Sequence, residues 1–160
     1  AKGDGRAPNK SESNSLIMDS GGPGKHRGGL GIERVVQART NIILNTQIDR
    51  VHCNPWGLNG GDDAAGNSVA LRLEGEWKED FPNAKVLTAQ LKEGEAFRLR
   101  SGGGGGFGPA VDRPAEKVAA DVQQGYVSQE SAEQAYGVVI NNETKELDKA
   151  ATEKRRKDMS

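Results

Sequence analysis

The stretch Arg100-Ser101-Gly102-Gly103-Gly104-Gly105-Gly106-Phe107-Gly108-Pro109 decides how the rest of this chain is read. Consecutive glycines have the greatest freedom a backbone can have, and fixing them costs on the order of 1–2 kcal/mol per residue. Standing alone, such a run is a flexible linker. Here it lies between an alternating segment that reads as a strand and a segment of helical period. A second glycine-rich patch, Ser20-Gly21-Gly22-Pro23-Gly24-Lys25-His26-Arg27-Gly28-Gly29-Leu30-Gly31, lies far upstream. Two such patches flanking patterned sequence point to ordered glycine, with backbones packed on backbones or held at φ > 0.

Upstream of the run, Glu95–Arg100 and Lys85–Leu91 read as two strands, joined by Lys92-Glu93-Gly94-Glu95 as a tight turn in which Gly94 supplies φ > 0. Phe97 and Leu99 then face inward, Arg98 and Arg100 outward. Ser68–Glu74 alternates in the same way, with Val69, Leu71 and Leu73 on one face. From Ile32 to Val51 β-branched residues interleave with polar ones, and a turn near Arg39-Thr40-Asn41 divides them into two antiparallel strands. Asn54–Asp63 is a loop by composition. Within it, Trp56 beside Pro55 is either a plug onto a core or an interface anchor, and Asp62-Asp63 suits loop capping better than cation binding.

Downstream of the run the period becomes helical. Asp112 caps a helix with Pro114 in its first turn, Val118, Ala119 and Val122 on one face, and Gly125 as the stop. Ser128 caps a second helix carrying Ala132, Ala135 and Tyr136, ended by Gly137. Val138-Val139-Ile140 is an extended exit. Charge dominates from Asn141, ending in Lys154-Arg155-Arg156-Lys157, which reads as a solvated tail or a subunit-docking helix. The polar opening, with Gly3, Gly5 and Pro8, cannot offset its ordering entropy by burial. The reading gives a flexible N-terminal tail over 1–15, an antiparallel β and glycine-rich unit over 16–109, a helical hairpin over 110–140 and a charged C-terminal tail over 141–160.

The totals fit one small domain plus tails. Of 160 residues only 34% are hydrophobic and 4% aromatic, thin material for an independent enzyme core, so partners are expected to complete the fold. A net charge of -1 gives no whole-chain reason for nucleic acid or anionic membrane. One cysteine, Cys53, excludes an internal disulfide and a multi-cysteine zinc site. With no stretch of about 20 apolar residues and no signal-peptide pattern, the chain reads as soluble and cytoplasmic.

Motifs that invite a cofactor fail on their spacing. Gly24-Lys25 lacks the phosphate-loop glycine five residues earlier and the following Ser or Thr, those positions being Asp19 and His26. Gly103, Gly105 and Gly108 spell G-x-G-x-x-G, but Pro109 blocks the direct entry into a helix that dinucleotide binding requires. His52-Cys53, with His26 as a third ligand, is too sparse for a metal centre. No catalytic, cofactor-binding or metal-ligating residue is assigned.

Read together, the segments resemble the hydantoinase B/oxoprolinase family. Asp19-Ser20-Gly21-Gly22-Pro23-Gly24-Lys25-His26-Arg27-Gly28-Gly29-Leu30-Gly31 is similar to its D-S-G-G-x-G-x-x-R-G-G-x-G signature. Pro55-Trp56-Gly57-Leu58-Asn59-Gly60-Gly61 resembles its P-x-G-x-x-G-G loop. Leu91-Lys92-Glu93-Gly94-Glu95 leading to Gly102–Gly108 resembles its L-x-x-G-[DE] turn and glycine run, and Gly125–Ser128 through Tyr136–Val139 its C-terminal hairpin. The resemblance covers about residues 16–140 and only the C-terminal part of the family's pattern.

The resemblance implies a place in large ATP-dependent hydrolases and carboxylases. In these a partner with an actin-like ATP site, with Mg, phosphorylates an amide or ketone oxygen. It further implies glycine-rich segments bundled as polyproline-II-like helices, in which every third residue meets a crowded interior. Gly103 and Gly106 share one such phase, Gly102 and Gly105 another. Polar stretches at both ends suit a separately encoded small subunit of an acetophenone-carboxylase-like complex, beside a larger B-type subunit and ATP-binding A-type subunits. The alternatives are a part of an ATP-dependent hydantoinase or 5-oxoprolinase, or a glycine-rich binding protein. RNA binding sits poorly with so few aromatics and a near-neutral charge.

Overall fold

The computed structural model describes residues 7–159, which form two compact units interleaved along the chain. One unit comprises the described residues up to Ser15, Ile32–His52 and Asn67–Ser101; the other comprises Leu16–Gly31, Cys53–Gly66 and the described residues from Gly102 onward. The architecture is sheet-dominant with three α-helices.

The first unit holds strands β1 (Asn9–Leu16), β2 (Ile32–Ala38), β3 (Ile42–Thr46), β4 (Ser68–Leu73), β5 (Glu76–Lys78), β6 (Val86–Leu91) and β7 (Ala96–Arg100). Five of them form a sheet in the order β1-β2-β7-β4-β5, while β3 and β6 pair as a separate two-stranded ribbon. The antiparallel register sets Leu71 against Phe97 and Val69 against Leu99. Those residues pack with Val86, Ala84, Leu44 and Phe81 into one apolar cluster, so the inward face read from the alternation is the observed one. On the opposite face, Trp77 lies under the Arg98 and Arg72 guanidiniums, 4.9 and 5.4 Å from its ring centre. Arg98 is also paired with Glu79, and Arg100 with Glu33 at 2.6 Å.

Two expected turns are not hairpins. At Arg39–Asn41 the chain passes from β2, which pairs with β7, to β3, which pairs with β6. At 92–95 it passes back from β6 to β7. Gly94 does take φ +89°, and its amide donates to the Ala38 carbonyl at 2.9 Å, so the turn caps β2 rather than joining neighbours. The Lys92 and Glu74 amides donate to the Glu95 carboxylate. The Lys92 bond in particular holds the Glu95 carboxyl below its ordinary pKa. Alternation fixes which face a strand buries; it carries no information about the strand's partner.

The second unit carries a 3₁₀ turn at Ala110–Asp112, then α1 (Ala115–Gln123), α2 (Gln129–Tyr136) and α3 (Lys149–Asp158). The hairpin is as expected in outline. Ser128 caps α2 by accepting from the Ser131 amide at 3.0 Å, and Gly137 ends it at φ 63°. Val118, Val127, Ala132, Tyr136 and Val138 form its buried core. Asp112, however, lies in the 3₁₀ turn, and Pro114, with φ −52°, stands at the cap of α1.

The polar N-terminal stretch departs from the expected tail, while the basic C-terminal stretch takes the helical one of its two alternatives. Residues 9–16 are strand β1, exposed along its whole length, and 149–158 is helix α3, capped by Asp148. Of α3 only Thr152 is buried, its hydroxyl accepting from the Val139 amide at 3.0 Å. Neither element has the apolar period that sequence reading relies on. Both are held by hydrogen bonds.

Candidate functional site

Three irregular segments of the second unit, around 20–31, 55–66 and 102–109, are joined main chain to main chain. The Gly22 amide donates to the Gly104 carbonyl, Gly104 to Gly29, Gly28 to Gly22, Gly106 to Asp62, and Asp62 to Pro23, all at 2.8–3.0 Å. Leu58 and Gly108 close the lattice, donating to Gly106 and Leu58. Buried backbone groups must be paired, and here segments outside the sheets pair them with one another.

The packing explains the glycines. A β-carbon on Gly103 or Gly106 would run into the Ser20 and Pro23 carbonyls, and one on Gly102 or Gly105 into the Ala65 and Trp56 carbonyls. Contacts therefore repeat every three residues along the run, against one neighbour for 103 and 106 and another for 102 and 105. Both phases point inward, where a single crowded phase would leave one of them free. Only Gly104 has room, its nearest neighbour being the Gly29 nitrogen at 3.4 Å. Gly21, Gly22, Gly28, Gly57 and Gly61 are blocked by backbone in the same way. The linker reading does not survive this.

Side chains brace the segments against the helices. The Arg27 Nε donates to Asp121 Oδ2 at 3.2 Å, and Arg113 donates to the same oxygen at 2.8 Å. Each arginine also reaches a backbone carbonyl, Arg27 that of Gly28 and Arg113 that of Lys25. Arg27 sits 5.5 Å above the Tyr126 ring. All three charged side chains are largely buried, and breaking such a set by removing one member is far more harmful than never building it. Beside them, Tyr136 is 1% exposed and its hydroxyl makes no well-formed hydrogen bond among the described residues. Burial pushes its phenol up to about 12, against the pull of Arg113, Arg27 and the nearby Gly24 backbone.

The signature residues now have physical roles. Asp19, at φ 59°, accepts from the Ser128 amide through Oδ1 and donates its own amide to Tyr126, tying the first glycine patch to the turn between α1 and α2. Ser20 donates its hydroxyl to the Ile17 carbonyl at 2.5 Å while the Gly31 amide donates to its Oγ at 2.8 Å, closing the loop between them. Arg27 supplies the ion pair. The sequence singled out Asp19, Ser20 and Arg27 only as motif letters and Tyr136 only as a face residue of the second helix, and nothing in it marked Asp121 or Arg113. A buried acid on a helix becomes legible only when the opposing arginines are in place.

Residues flagged earlier fall elsewhere. His26 exchanges backbone hydrogen bonds with Phe107, their rings 6.2 Å apart, while His52 and Cys53 are exposed. No three His, Cys, Asp or Glu side chains converge as a metal site among the described residues. Trp56 is 65% exposed and so is not a plug. Asp63 accepts from the Gly57 amide at 2.9 Å, a loop-capping contact. Arg156 of the basic tetrad donates to the Tyr136 and Arg113 carbonyls, helping to seat α3.

A family model for hydantoinase B/oxoprolinase matches residues 4–110, and the chain belongs to that family. Two relatives of different activity stand close to it. The caprolactamase subunit beta of Pseudomonas jessenii is 33% identical over 144 residues, covering 86% of this chain and 24% of the relative. The acetone carboxylase alpha subunit of Xanthobacter autotrophicus is 28% identical over 158 residues, 78% of this chain and 20% of the relative. The crystal structure of the ATP-dependent caprolactamase superposes with a TM-score of 0.79 at 28% identity, over 94% of this chain and 26% of that one. Nucleotide-free acetone carboxylase gives a TM-score of 0.77 at 24% identity over 95% of this chain and 25% of that one, which shows a common fold. The chain thus spans about a quarter of the length of these proteins.

Proposed function

We propose that this chain is a scaffolding, non-ATP-binding part of an ATP-dependent carboxylase acting on a ketone, seated in a hetero-oligomer beside a larger B-type polypeptide and ATP-binding subunits. The observation that carries the scaffold role is the main-chain lattice at Gly102–Gly106, whose neighbours recur every three residues. That period supports a bundle of polyproline-II-like segments, which have three residues per turn and no hydrogen bonds of their own. A lattice of this kind places chain ends and loops with little freedom, as the wall of a shared reaction chamber requires. Its charged side chains, Arg27, Arg113 and Asp121, are engaged with one another and with backbone, which suits a brace more than a reacting group.

ATP and Mg would be held by the partner subunits, with phosphorylation of the carbonyl oxygen making the substrate reactive toward activated bicarbonate. The likeness to acetone carboxylase supports the ketone. The higher identity to caprolactamase, 33% against 28%, favours a second reading in which the activated group is a cyclic amide opened by water.

The test is ADP release by the native assembly purified from its source. Release that requires both a ketone and bicarbonate supports the first reading. Release with a lactam or hydantoin alone supports the second. Turnover by this chain without its partners would overturn the scaffold role in either.

A further inference from the structure

The ribbon of β3 and β6 differs from the rest of the sheet structure in how its edges are treated. In the five-stranded sheet the edge strands are β1, with Lys10 and Glu12, and the three-residue β5, with Glu76 and Lys78. Short, charged edges are how proteins discourage strand addition. The ribbon's nearest charges lie outside its strands, at Lys85 and Lys92 flanking β6. Ile42-Ile43-Leu44-Asn45-Thr46 and Val86-Leu87-Thr88-Ala89-Gln90-Leu91 contain no charged residue, and each strand has one edge unpaired among the described residues. A two-stranded sheet is marginal in water by itself.

Its outward face is also apolar. Leu44, Ala89 and Val86 turn to the core cluster, so Ile43 and Leu87 turn away from it, 65% and 68% exposed. A bulge between Leu44 and Thr46 shifts the register, and Thr88 takes φ 52°, a strained conformation for a β-branched residue. The Asn45 side chain steadies it by accepting from the Thr88 amide at 2.7 Å. Surface hollows of about 400 and 360 Å³ lie at the two ends of this face, one lined by Ile43, Gln90 and Lys92, the other by Gln47, Leu87, Asp49 and Lys85.

We propose that the β3–β6 ribbon is a strand-addition site for an extended segment of the larger B-type polypeptide. The inference rests on the scaffold reading above. Only another backbone can pair a free edge while its alternate side chains cover Ile43 and Leu87 and enter the hollows. The occupant follows from length: relatives of this fold are about four times as long as the part matched here, so most of their chain remains to supply such a strand.

Hydrogen exchange of this chain alone and in the native assembly tests the proposal, read on peptides covering 41–47, 85–92 and, as a control, 9–16. Assembly should slow exchange in the two ribbon peptides by about tenfold or more and leave the polar β1 edge nearly unchanged. The double variant Ile43→Lys, Leu87→Lys should weaken assembly by about tenfold while the β2–β7 ladder keeps its protection. Ribbon peptides that exchange equally fast in an assembly containing the larger polypeptide would overturn this proposal and leave the scaffold reading standing. An assembly without any larger B-type polypeptide would overturn both. Ribbon protection arising from self-association of this chain would also overturn it, because the occupant would then be a second copy.

Discussion

Around Val69, Leu71, Phe97 and Leu99 the interior is made of side chains; around Gly22, Gly28, Gly103 and Gly106 it is made of main chain. The sheet core is stabilised by apolar area removed from water, about 25 cal/mol per Å². The glycine segments have almost no side chain to bury, and their stability comes from paired amides and from the Arg27–Asp121–Arg113 brace. The two interiors should therefore fail differently. A side-chain core tolerates volume-conserving exchange, so Leu71→Met should lose less than about 1.5 kcal/mol. A main-chain interior has no rotamers to adjust, and there even one methyl group must move a backbone.

The largest expected effect is on the brace. Asp121→Ala leaves two largely buried guanidiniums without their common partner, and breaking such a set costs about 3 kcal/mol or more. The denaturation midpoint of the variant, set against that of Leu71→Met, measures it. A loss under about 1 kcal/mol would mean that the lattice of amides suffices without its side-chain brace.

Next comes the lattice itself. Gly106→Ala brings a β-carbon against the Pro23 and Gly22 carbonyls and should destabilise by about 1–3 kcal/mol, with Gly103→Ala similar through Ser20. Thermal unfolding of the two variants checks this. Values near zero would return the segment to the linker reading and remove the contrast with the sheet.

The same contrast explains what could be read from the sequence. Val69, Leu71, Leu73, Phe97 and Leu99 announce their face because a strand's period is written in side chains. Ser128 and Gly137 announce a helix's ends because caps need particular residue types. A glycine run announces only that side chains are excluded, and not by what. The neighbours of Gly103 and Gly106 lie about eighty residues upstream, and local pattern has no term for such distances. The sheet switches at Arg39–Asn41 and Lys92–Glu95 were hidden for the same reason, and β1 because a polar, hydrogen-bonded strand lacks an apolar stripe. Of the site, the motif letters Asp19, Ser20 and Arg27 and the cap Ser128 were visible, but the pairing of Asp19 with Ser128 was not, nor was Asp121.

A smaller effect is expected at Tyr136. Its hydroxyl is buried with no well-formed hydrogen bond among the described residues, so Tyr136→Phe should be neutral or stabilise by a few tenths of a kcal/mol at neutral pH. Because burial raises the folded-state pKa from 10.0 to about 12, the folded chain holds its proton where the unfolded chain releases it. Stability from this group is fully present below pH 10 and is lost as pH rises toward about 12. Denaturant titrations at rising pH should fall less steeply for Tyr136→Phe than for the parent. Parallel slopes would show that the phenol is not held back in the folded chain.

The smallest expected effect gives the sharpest comparison, because it lies inside the glycine run. At Gly104 a β-carbon would have the Gly29 nitrogen at 3.4 Å and the Gly28 Cα at 3.9 Å, both ordinary contacts, and the backbone does not take positive φ. Alanine should fit without moving anything. It would also restrict the unfolded chain, which favours folding by about 0.4–1 kcal/mol at a compatible position. Gly104→Ala should therefore match or slightly exceed the parent in thermal stability, while its neighbours on both sides, Gly103 and Gly105, lose stability. A flexible linker would treat all five positions alike. A bundle with a single inward phase would spare either 102 and 105 or 103 and 106. The pattern expected here spares only 104, and damage at 104 equal to that at 106 would mean that the outer face of the run is packed against something beyond this chain's own backbone.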